Sequence, residues 1–156
     1  MDIMDREDIY ELDELEKIID TDNIPFEKLM RVFIGFICDE LITKDNLQKL
    51  NIDVNNEITI IGFARQGEAF IEDRITREEL FRERVAAWET YDGLPDGSAA
   101  QNLIRIIVCS LYDREAAGFD RYGSESKLEL YFSLLLDLGP GYCKQFRCYI
   151  QNNLIL

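Results

Sequence analysis

Residues 76–112 read TREELFRERVAAWETYDGLPDGSAAQNLIRIIVCSLY. Thr76 is followed three residues later by Glu79, and Ser98 by Gln101. In such a capping box the hydroxyl accepts from the third helical N–H while the longer side chain reaches back to the cap N–H. Each pair therefore opens a helix. The first runs through Tyr91, where Gly93, Pro95 and Gly97 end it. The second runs to about Tyr112, with Leu103, Ile104, Ile107, Val108 and Leu111 on one side. Helix, short turn and apolar helix form the repeating step of a helical bundle, and this stretch sets the class as mostly α.

Toward the N-terminus, residues 5–20 place Ile9, Leu12, Leu15 and Ile19 on one side and leave Asp5, Asp8, Glu11 and Asp13 outside, predicting an amphipathic helix with an acidic back. Pro25 suits a first helical turn. Phe26, Leu29, Met30, Phe33, Ile37 and Leu41 follow at helical spacing, and Val32, Ile34 and Phe36 widen the apolar face, so this helix should lie centrally. Ile58–Ala64 reads two ways: Ile58, Thr59, Ile60 and Ile61 are β-branched, yet Ile60, Ala64 and Ile71 fit a helix. Toward the C-terminus, Ser126 with Glu129 is a third capping signature. Its helix has only a narrow polar stripe of Glu129, Ser133 and Asp137, with Leu128, Tyr131, Phe132, Leu135 and Leu138 elsewhere. Gly139 serves as a C-cap, and Pro140 starts a last segment carrying Tyr142, Phe146, Tyr149 and Ile150. The expected architecture is one domain over residues 1–156, an irregular bundle of five or six helices. It has at most one short strand pair near residues 57–64, with α+β as the alternative.

The 156 residues are 47% hydrophobic and 31% charged, enough apolar mass for a folded core. Thirty-one acids stand against 17 Lys and Arg, a formal charge of −14. Residues 1–22 hold Asp2, Asp5, Glu7, Asp8, Glu11, Asp13, Glu14, Glu16, Asp20 and Asp22 against Arg6 and Lys17, so −8 of the −14 sits there. Such a field repels phosphates and anionic lipid headgroups and steers basic proteins inward. The expected partner is thus a basic protein, not nucleic acid or a membrane. MDIMDREDIYELDELEK has neither a basic n-region nor an apolar h-region, so no signal or transit peptide is expected and the location reads as cytoplasmic. Cys38, Cys109, Cys143 and Cys148 lack C-x-x-C spacing and read as reduced, mainly packing thiols.

The chain has no histidine, which removes imidazole-activated nucleophiles and the common His-containing zinc sites. No Gly-rich phosphate loop or nucleophile elbow is present, and no metal site or cofactor is expected. Glu78, Glu79 and Glu83 read as a solvated helix face. Arg84 falls in the sector of Leu80, Phe81, Ala87 and Trp88, where its charge needs an acceptor: an internal ion pair or a snorkelling side chain is favoured over an anion site. Arg105 borders its own helix's apolar sector and reads the same way. DREAAGFDRYGSES, residues 113–126, sets Phe119 and Tyr122 beside charges, either as interface anchors or as a loop folding back on the core. The candidate partner-binding residues are Asp5, Asp8, Glu11, Asp13 and Glu14 on the acidic helix, with Asp113, Glu115, Phe119, Asp120 and Tyr122 in this segment.

RVAAWETYDGLPDGSAAQNLIRIIVCSLYDRE, residues 84–115, and the leucine-rich KLELYFSLLLDL resemble segments of the immunity proteins that bacteria pair with polymorphic toxins. The resemblance implies a cytoplasmic inhibitor that covers a basic toxin domain, and it transfers no binding residue to a position here. The leading expectation is a non-enzymatic inhibitor of a basic toxin, such as a nuclease, by masking of its active site. A cytoplasmic adaptor or regulatory subunit is the alternative, and a carboxylate-based metal hydrolase the third reading.

Overall fold

The computed structural model describes residues 6–154, which hold eight α-helices and no strand. These are α1 (Glu7–Glu16), α2 (Phe26–Phe36), α3 (Lys44–Lys49), α4 (Val54–Ile71), α5 (Arg77–Gly93), α6 (Ala99–Val108), α7 (Phe119–Leu138) and α8 (Tyr142–Asn153). A π-helical turn, Ile37–Leu41, follows α2, and a 3-10 turn, Cys109–Leu111, follows α6. The chain divides into two compact units, and the division falls within α2.

The first unit takes the described parts of Met1–Val32 and Arg114–Leu156. Here α1 packs on α7 and α8, and α7 packs on α8. Leu15, Leu29, Leu128, Phe132, Leu135, Cys143 and Phe146 are buried in its core. Phe132 and Phe146 lie 5.1 Å apart between ring centres. As expected, α7 is sunk in protein on most sides, with Glu129 and Asp137 left exposed.

The second unit is Phe33–Asp113, in which α4, α5 and α6 pack on one another. Thr76 and Glu79 close the capping box reciprocally, at 3.1 Å in each direction. At Ser98 the hydroxyl accepts from the Gln101 N–H at 3.2 Å. The Gln101 side chain instead accepts from Gly97 N–H at 2.9 Å and donates to Tyr91 C=O at 3.2 Å, tying the α5–α6 turn to α6.

The strand pair expected near residues 57–64, and with it the α+β alternative, gives way to the continuous helix α4. Asp53 starts it by accepting from the Asn56 N–H at 2.8 Å. Ile60, Phe63, Ala64 and Gly67 are buried along one face, while Ile58 and Thr59 point to solvent. A β-branched residue costs a helix only about 0.5 kcal/mol, less than the burial of that face returns. The third expected cap is displaced: α7 begins at Phe119 and is broken at Gly123, so Ser126 lies just inside its second run. The short α3, capped by Thr43, buries only Leu47 and accounts for one helix beyond the expected five or six.

Gly67 packs closely against Ser110 in the second unit. A Cβ there would lie 2.8 Å from Ser110 Oγ and 3.1 Å from Ser110 C=O. The Ser110 hydroxyl donates to Ile107 C=O at 2.6 Å and is not free to swing away. Gly67→Ala gains about 1 kcal/mol of helix propensity but overpacks this contact at a cost of about 2 kcal/mol. A net loss of about 1 kcal/mol is expected by urea unfolding, and a stabilised variant would contradict the packing.

Candidate functional site

In the first unit, α1 and α7 enclose a cleft of about 520 Å³ lined by Arg6, Asp8, Ile9, Leu12, Asp13, Glu16, Glu125, Glu129, Phe132 and Ser133. Leu12 and Phe132 are buried and form the apolar floor. Asp13, Glu16 and Glu129 are exposed at the rim. Five acids and one arginine line it, and Arg6 is spent on Asp8, reaching its two carboxylate oxygens at 2.8 and 3.2 Å.

The site depends on Gly123. Its φ of 76° and ψ of −179° break α7 into two helical runs, a conformation open essentially to glycine alone. The break turns Ser124 inward, where its hydroxyl donates to Thr21 C=O and accepts from Ile24 N–H at 3.1 Å. The loop after α1 is thereby stapled to α7, and Glu125 comes to rest against Asp22 and Glu16. Asp22, by hydrogen bond and by charge, and then Glu16 push the Glu125 carboxyl up to about 7.

The acidic back expected for α1 divides in two. Asp8 and Glu11, expected outside, are 6% and 5% exposed. Glu11 pairs with Arg147 on α8, and the Glu11 hydrogen bond raises the Arg147 pKa. Glu7, on the same edge, accepts from Gly141 N–H at 3.0 Å and from Lys144 N–H at 3.3 Å. A carboxylate from α1 therefore caps the N-terminus of α8, where the helix dipole favours negative charge. The buried sector of α1 takes in Asp8 and Glu11 because Arg6 and Arg147 neutralise them. Tyr10 and Ile18 are left 55% and 59% exposed.

Of the other candidates, Asp5 lies outside the described residues. Asp13 lines the cleft. Glu14 pairs with Lys17 at 2.8 Å, which holds its carboxyl below the usual range. Asp113, in the second unit, pairs with Arg77 at 2.8 Å. Glu115 is exposed in the first unit. Phe119 packs edge-on against Phe26 at 5.2 Å, so this aromatic folds back on the core. Asp120 is exposed and held by Arg114. Tyr122 is 55% exposed beneath the Arg121 guanidinium. Of the described candidates, Asp8 and Asp13 line the cleft and the others do not.

Glu16, Glu125 and Glu129, which supply the remaining acids of the cleft, were not among the candidate binding residues. The spacing of Glu125 and Glu129 on one helix face was readable, but their meeting with Glu16 and Asp22 depends on the Gly123 break.

In the second unit, Arg84 makes no ion pair with a described residue and finds its acceptor in a backbone carbonyl. Its guanidinium lies 4.4 Å from the Tyr112 ring centre and 5.2 Å from that of Phe81, and it donates to Leu111 C=O at 3.2 Å. Arg105 lies 5.1 Å from the Trp88 ring and donates to Cys109 Sγ. Trp88 Nε1 donates to Tyr112 Oη at 3.2 Å, so rings and guanidinium groups interleave.

Burial, reinforced by Glu68, pushes the Cys38 thiol up to about 12, and burial likewise raises Cys143, whose thiol donates to Phe132 C=O. Both are poor nucleophiles at neutral pH. Among the described residues no group of three or more Asp, Glu or Cys is placed to hold a metal ion.

The fold and site define an all-helical chain with an acid-rimmed, apolar-floored cleft, and no helix among the described residues is long and apolar enough to cross a membrane. Compared with protein-family models, curated proteins and solved structures, the chain matches none.

Proposed function

We propose that the chain is a non-enzymatic inhibitor of the immunity type, which neutralises a basic protein by receiving its lysine or arginine side chains in the α1–α7 cleft. The observation that carries this reading is the crowded corner of Glu16, Asp22 and Glu125, where the hydrogen bond to Asp22 and the repulsion of its charge raise the Glu125 carboxyl to about 7. A cation placed there relieves the repulsion and releases the Glu125 proton. The apolar floor of Leu12 and Phe132 suits the methylene stem behind such a cation. The remaining negative field speeds encounter.

The domain encoded beside this gene is the first partner to test, by co-expression and co-purification. A stable complex that weakens with salt is expected. Asp13→Asn with Glu129→Gln should weaken it about tenfold, since each exposed pair contributes up to about 1 kcal/mol. No complex, or one indifferent to both changes, would sink the reading.

Proton release gives the binding a pH signature. Affinity should rise as pH rises through about 7 and level off above it, by up to about tenfold per pH unit below the transition. Folding shows the opposite sign. The folded chain holds the Glu125 proton up to about 7, whereas an unfolded glutamate releases it near about 4.3. Stability from this group is therefore complete below the unfolded value and lost as pH rises through 7. Glu125→Gln should flatten both profiles, read by calorimetry for binding and by thermal midpoint for folding; unchanged profiles would remove Glu125 from the site.

A further inference from the structure

We draw no further inference here: the strongest candidate, the exposed apolar patch of Phe81 and Val85 on the outer face of α5, is bordered by charges of both signs, Glu78 and Arg82 among them, and nothing in the structure shows what covers it.

Discussion

Arg147→Met is expected to cost about 3 kcal/mol of folding free energy, the penalty for leaving a buried charge without its partner. Glu11 is 5% exposed, and Arg147 is its ion-pair partner. With the guanidinium gone, the carboxylate can neither reach water nor find another cation, and Glu7 and Asp8 add negative charge on the same helix. Removing the other partner is less severe. The Arg147 side chain is 18% exposed and also donates to Gln151 Oε1 at 3.1 Å, so Glu11→Leu leaves an arginine that can turn outward. The double replacement, Glu11→Leu with Arg147→Met, should lie within about 1 kcal/mol of the parent, because an apolar pair of similar volume avoids the desolvation that the ions incur. Urea unfolding of the four proteins closes the cycle. If Glu11→Leu costs more than Arg147→Met, the assignment of the deeply buried partner is wrong.

The same pair shows where sequence reading stops. Hydrophobic spacing located α1 and supplied Leu12 and Leu15 as core residues, but it also assigned Asp8 and Glu11 to solvent, because a pattern rule treats every carboxylate as outward-facing. Whether an acid can be buried depends on what meets it, and the groups that meet Glu11 and Glu7 lie on α8, at the far end of the chain. Local signals fared better. The box at Thr76 and the cap at Ser98 start α5 and α6 where they were read, because capping is satisfied within four residues. The third signature, at Ser126, has the right letters inside a helix that had already begun. For residues 58–64, β-branching argued for strand and periodicity for helix. Burial of Ile60 and Ala64 on one face of α4 decided it. The acidity of the first 22 residues was legible as a quantity, but its division between internal caps and the cleft was not.

Gly123→Ala carries the second large effect, also about 3 kcal/mol, and its origin lies in the backbone alone. A Cβ at this position would meet nothing within 4 Å, so overpacking is absent. The cost is the conformation: φ of 76° with ψ of −179° strains an L-residue by about 1–3 kcal/mol. If the chain escapes by continuing the helix, Ser124, only 1% exposed, loses its bonds to Thr21 and Ile24. Buried backbone groups then go unpaired, at about 1–3 kcal/mol. Either route weakens the fold, and D-alanine distinguishes backbone strain from loss of space. The mirror image of this conformation is ordinary extended backbone, so a chemically assembled chain with D-alanine at 123 should match or exceed the parent in stability, by up to about 1 kcal/mol. The L-variant should also disturb the cleft. Once the staple to Thr21 is released, Asp22 no longer presses on Glu125, and the Glu125 carboxyl, raised to about 7 in the parent, should return toward the ordinary carboxylate range in an NMR titration. A variant that keeps the parent's titration while losing stability would separate the break in α7 from the chemistry of the cleft.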